Sequence, residues 1–120
     1  MIRVLAIASM LLISQVVPTF AETIPLVCQN RSQEPPFSIT IDPKNKTASY
    51  RQGSYPSPIG HAVITDAIFK IYLPMHGYAG IDHINIEIDR LTGVASWNSC
   101  FPSQCTGAIP VECHKGSPLF

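Results

Sequence analysis

Charge is what this sequence has least of. Asp, Glu, Lys and Arg make up 13% of its 120 residues, and eight basic side chains meet eight acidic ones. A balanced chain with no basic run has no electrostatic footprint for nucleic acid or for an anionic membrane surface, so both are excluded as partners. Catalytic signatures are missing too. Ser54, Ser57, Ser96, Ser99, Ser103 and Ser117 stand in no Gly-x-Ser-x-Gly elbow. His61, His76, His83 and His114 show neither His-x-x-x-His nor His-x-His spacing, so no metal is expected, and no cofactor fingerprint is present. Long apolar runs are lacking beyond the first twenty residues, which leaves no segment to span a membrane as a helix once those residues are removed. Apolar residues nevertheless make up 46% of the chain, enough for one core and against intrinsic disorder.

The opening residues read as a cleaved signal peptide covering residues 1–21. Arg3 supplies the positive end, Val4 to Ile13 an apolar run relieved only by Ser9, and Thr19-Phe20-Ala21 the small side chains that flank a cleavage site. Removing them takes away Arg3, which leaves seven basic side chains against eight acidic ones. The expected product is residues 22–120, a single domain in a periplasmic or secreted location.

All four cysteines lie in that product, and an even number in an exported chain reads first as two disulfides. Three pairings are possible. Cys28 with Cys113 and Cys100 with Cys105 is favoured, because Cys28 and Cys113 sit in extended stretches near the two ends, whereas Cys100-Phe-Pro-Ser-Gln-Cys105 contains its own turn. A zinc site built from the cysteines and His114 is the rival, though it lacks the paired spacing of a zinc ribbon.

Between the cysteines run short stretches rich in β-branched and aromatic residues, punctuated by Pro, Gly, Asn and Asp. Strands are expected at 24–29, 36–42, 46–51, 61–65, 67–73, 83–89, 94–99 and 108–114. The best helical stretch, Ile64 to Tyr72, is so rich in Ile and Phe, and so abruptly closed by Pro74, that it too reads as strand. Ile39 to Tyr50 aligns with Ile86 to Trp97 at a constant offset of 47, matching two Ile residues, an Asp, Ala-Ser and a closing aromatic. One hairpin is used twice. Asp42 and Asp89 take the first turn position, where a carboxylate accepts backbone N–H groups, and Tyr50 and Trp97 are expected to face inward. The fold class is therefore all-β: a small antiparallel sandwich or barrel of six to eight short strands, stapled by disulfides.

The order Cys28, Phe-x-Ile-x-Ile-Asp hairpin, Ile88-Asp89-Arg90-Leu91-Thr92-Gly93 hairpin, late Cys113 and terminal Pro-Leu-Phe resembles small exported β-proteins of proteobacteria that have no assigned function. Small periplasmic inhibitor barrels are a more distant likeness. The resemblance implies a fold and a bacterial envelope compartment and no activity.

Function is not legible in these residues. The reading they favour is a non-enzymatic, envelope-associated protein that binds another protein or a small envelope ligand, with Tyr55 and Phe101 as the contact aromatics because they lie among Pro, Ser and Gly on loops. An alternative is a hydrolase or metal-dependent enzyme built on His61, or on His76 with Asp82 and His83 across the Gly77–Gly80 loop. A purely structural envelope component is a third.

Overall fold

The computed structural model describes residues 22–30, 35–53 and 57–116. Residues 1–21, expected to be a signal peptide, and Tyr55 lie outside the described residues. Eight strands follow one another in chain order: β1 (Ile24–Asn30), β2 (Phe37–Asp42), β3 (Thr47–Arg51), β4 (Ile59–Ile64), β5 (Ile68–Pro74), β6 (His83–Asp89), β7 (Val94–Cys100) and β8 (Ile109–Lys115). Each pairs antiparallel with the next, and β8 returns to β1, so they close into an up-and-down barrel with no free edge. Of the two architectures left open by the sequence, the barrel is the one formed. The only helical element among the described residues is a 3-10 turn at Tyr78–Gly80 between β5 and β6.

Alternation along each strand decides what fills the barrel. Ile39 and Ile41 on β2, Phe69, Ile71 and Leu73 on β5, and Ile84, Ile86 and Ile88 on β6 are all buried, each separated from the next by an outward residue. Burying each such side chain contributes about 1.5–3 kcal/mol. The core is therefore the lumen itself, packed with side chains. The outer face carries Lys70, Glu87, His61 and Glu112, all exposed. The same outer wall also exposes Ile59, Val63, Tyr72, Val94 and Ile109, and no helix among the described residues is long and apolar enough to cross a bilayer.

The stretch from Ile64 to Tyr72 is two strands and a turn, as its β-branched composition requires. Thr65 closes the turn with its hydroxyl, which accepts the N–H groups of Ala67 and Ile68 at 3.3 and 3.0 Å. Strand β4 starts two residues earlier than the sequence suggests, at Ile59, because Gly60 packs directly on β5. A Cβ there would stand 1.8 Å from the Tyr72 carbonyl oxygen.

The repeat is structural. Ile39 faces Tyr50 and Ile41 faces Ala48 in the first hairpin, as Ile86 faces Trp97 and Ile88 faces Ala95 in the second. The copies lie four strands apart, on opposite walls, so their closing aromatics meet across the lumen. Tyr50 and Trp97 are 5.7 Å apart between ring centroids, and Phe37 is 5.2 Å from each. The Tyr50 hydroxyl donates to Gln52 Oε1 at 2.9 Å, and the Gln52 amide donates in turn to the Pro35 carbonyl at 2.9 Å, which satisfies a buried polar pair at that end.

Both disulfides form as favoured. Cys28 and Cys113 are directly opposed on β1 and β8 and clamp the closing seam, while Cys100 and Cys105 close a short loop after β7. With every cysteine so paired, the zinc site with His114 is overturned, because no thiolate is left to ligate a metal.

Candidate functional site: a ringed groove on the outer wall

The outward residues of β4 to β7 do not form a flat surface. They line a concave groove of about 490 Å³, with Val63 and His61 from β4, Lys70 and Tyr72 from β5, Asn85 and Glu87 from β6, and Ser96 and Asn98 from β7. Each owes its place to alternation: Phe69, Ile71 and Leu73 point inward, so Lys70 and Tyr72 must point out. Gly60 then lets β4 approach β5 closely beneath them.

Rings run across the strands along this wall. His61 and Tyr72 are direct cross-strand partners with near-parallel rings 6.5 Å apart, and Tyr72 stacks on His83 at 4.6 Å. His83 is fixed from its other side, where Nδ1 lies 2.7 Å from Asp82 Oδ2. Next to the rings, Tyr72 faces Asn85, and Asn85 faces Asn98, which sets two amides in the groove. Lys70 faces Glu87, a cross-strand pair of opposite charge.

Two loops meet at the upper end of the groove. The chain from Met75 to Asp82 is held by Met75 N–H to the Asp82 carbonyl and by Asp82 N–H to the Cys100 carbonyl, at 2.9 and 2.8 Å. The disulfide loop is braced by Phe101 N–H to the Gln104 carbonyl and Thr106 N–H to the Ser99 carbonyl, both 2.8 Å. Phe101 is 37% exposed, with its ring beside Gly80. It stands on a loop, as expected, and closes the gap between the two loops.

Of the histidine candidates, the structure brings Asp82 and His83 together and sets His61 two rings away across Tyr72. His76 sits apart at the exposed turn after β5, in the left-handed region with φ 52°, and shares no hydrogen bond with the pair. Among the described residues, no Ser or Thr hydroxyl is hydrogen-bonded to His61 or His83. His83, Cys100 and Cys105 place ligand-type atoms within 4.8 Å of one another, but both sulfurs are spent in the disulfide.

Among the described residues, the carboxylates with displaced titration lie elsewhere, at the far end of the barrel. Asp42 is held below its usual value of 3.8, first by the Asn45 side-chain amide and then by the Asn45 backbone N–H. Asp89 is lowered chiefly by the N–H groups of Leu91 and Thr92. Both are turn anchors that stay ionised, the opposite of a raised general acid.

Tyr72, Asn85 and Asn98, like Val63, Lys70 and Glu87, are groove residues that the sequence does not single out. Tyr72 is legible as outward from its place between the inward Ile71 and Leu73. Comparison with protein-family models, curated proteins and solved structures finds no match to this chain.

Proposed function

We propose that the protein is a non-enzymatic binding protein of an oxidising, extracytoplasmic compartment, reached through the signal peptide at residues 1–21, and that it recognises a protein partner through the β4–β7 groove. What carries this reading is the contrast between a lumen filled by side chains and an outer wall hollowed to about 490 Å³. The lumen is packed with core side chains and leaves a hollow of about 260 Å³ beside Phe37, Gln52, Trp97 and Val111, smaller than the one on the outer wall, so contact falls to that wall. The closed sheet offers no edge for strand addition, so recognition runs through side chains. Stacked rings, two amides and one charge of each sign suit a polypeptide surface, which presents the same mixture. The two disulfides fit the compartment, since such bonds persist where thiols are oxidised.

Affinity capture from an envelope extract, with wild-type and variant proteins side by side, tests the reading. A partner held by wild type and by Leu91→Ala, but lost with Tyr72→Ala, supports it. Leu91 is 88% exposed at the opposite end and serves as the control. Capture that survives Tyr72→Ala together with His61→Ala overturns the groove as the contact surface.

A further inference from the structure

The two disulfides stand in opposite settings. Cys28 and Cys113 are 0% and 6% exposed and lie inside the barrel among core side chains. In the other bridge, Cys100 is 1% exposed whereas Cys105 is an exposed residue on the loop, so a single disulfide joins a buried residue to an exposed one. The buried sulfur has polar company: Asn85 Nδ2 donates to Cys100 Sγ at 3.4 Å. A ring nitrogen of His83 lies within 4.8 Å of both sulfurs, and His83 is itself held by Asp82. A neutral disulfide sulfur is a weak acceptor and gains little from such donors. A thiolate at Cys100 gains much more.

We propose that Cys100–Cys105 is a thiol–disulfide exchange site that takes two electrons from an external dithiol, with Cys105 as the attacked sulfur and Cys100 as the leaving sulfur. This inference is independent of the groove's partner. A thiolate of the dithiol attacks Cys105 Sγ, an S–S bond forms between them, and the Cys100–Cys105 bond breaks. The departing electron pair rests on Cys100 Sγ, stabilised by the Asn85 N–H, and the sulfur takes up a proton by way of His83. The second thiol of the reductant then attacks its own sulfur in the mixed disulfide. It leaves as a disulfide and releases Cys105 as a thiolate that protonates from solvent. The balance is one dithiol oxidised and one protein disulfide reduced, with two electrons and two protons transferred. The bracing of the loop by Ser99, Gln104 and Thr106 keeps the two thiols close, ready for reoxidation. Phe101, exposed beside Cys100, gives the reducing partner an apolar contact.

The test is reduction of the folded mature protein by limiting dithiothreitol at neutral pH, acid-quenched and mapped by mass spectrometry. Cys100–Cys105 is expected to open at least about tenfold faster than Cys28–Cys113. Brief exposure to reduced glutathione should place glutathione on Cys105. Asn85→Ala and His83→Ala should each slow opening of the loop disulfide several-fold and leave the Cys28–Cys113 rate unchanged, which a general loosening of the fold would not do. Should Asn85→Ala fail to fold, the isosteric Asn85→Asp, which sets a negative charge beside the leaving sulfur, must show the same slowing. Simultaneous opening of both disulfides, glutathione on Cys100, or wild-type rates in the Asn85 and His83 variants would each overturn the assignment.

Discussion

The two hairpins, β2–β3 and β6–β7, are the same object on the inside and different objects on the outside. Their inward residues match position for position at the offset of 47, as do the turn carboxylates Asp42 and Asp89 and the left-handed residues Lys46 and Gly93. Outward, the positions of Asn85, Glu87, Ser96 and Asn98 in the second copy are held by Ser38, Thr40, Ser49 and Arg51 in the first. Only the second set lines the groove. The repeat thus preserves what closes a barrel and leaves free what lines the outer wall. The first hairpin is framework, and the second is framework that also carries a surface.

The comparison is most severely tested in the lumen, where the copies touch. Tyr50→Ala and Trp97→Ala each remove a large ring from the three-ring cluster and should each cost about 3–5 kcal/mol in denaturant unfolding. Because the rings contact each other, the double variant should cost less than the two losses added, by roughly 0.5–1.5 kcal/mol. Phe101→Ala, on a half-open loop, should cost about 1 kcal/mol or less. If Phe101→Ala proves as damaging as Trp97→Ala, the disulfide loop is a piece of core and not a surface.

Much of this frame was readable before any coordinates. Residues alternating on a period of two named all eight strands, and the offset of 47 named the paired hairpins, because closing a sheet fixes inward residues and turn chemistry locally. Sequence could not choose between a barrel and a sandwich, since that depends on β8 reaching β1, a contact between residues some 85 positions apart. The groove was hidden for a related reason. His61, Tyr72, Asn85 and Asn98 come from four different strands and become neighbours only through sheet register. The histidine cluster failed at His76 because adjacency along a loop does not bring side chains together when the backbone turns through the left-handed region.

A smaller effect separates the turns. At the end of the second hairpin Gly93 has φ +79°, and a Cβ there would stand 2.2 Å from the Cys113 carbonyl oxygen. That carbonyl belongs to the residue whose N–H bonds the Gly93 carbonyl at 2.8 Å, so the turn sits tightly on β8. Gly93→Ala should cost about 2–4 kcal/mol, the left-handed penalty plus overpacking. Lys46, its counterpart, holds φ 55° with a full side chain. Lys46→Gly should therefore fall within about 1 kcal/mol of wild type, since relief of the left-handed penalty is offset by the greater freedom of glycine in the unfolded chain. Equal losses from both substitutions would show that the turns are packed alike after all.

The smallest expected effect distinguishes how the two copies hold their turn carboxylates. A carboxylate whose folded pKa lies below its unfolded value of 3.8 binds protons less readily in the folded state. Its stabilisation is complete above that value and is lost as pH falls through the lower folded value. The contribution of these two carboxylates should accordingly be constant above about pH 4 and be lost below it, so Asp42→Ala or Asp89→Ala should each flatten the acid limb of the denaturant midpoint slightly. The cause of the depression differs between the copies. For Asp42 the largest contribution is the Asn45 side-chain amide, 2.8 Å from Oδ2, whereas Asp89 relies on the backbone N–H groups of Leu91 and Thr92 at 2.8 and 3.1 Å. Asn45→Ala should therefore let Asp42 titrate closer to an ordinary carboxylate, while Thr92→Ala, which keeps both N–H groups, should barely move Asp89. Carboxyl-carbon NMR titration of the two variants reads this directly. Equal movement of both carboxylates would mean that side chains anchor both turns to the same degree, and that the copies differ only on their outer faces.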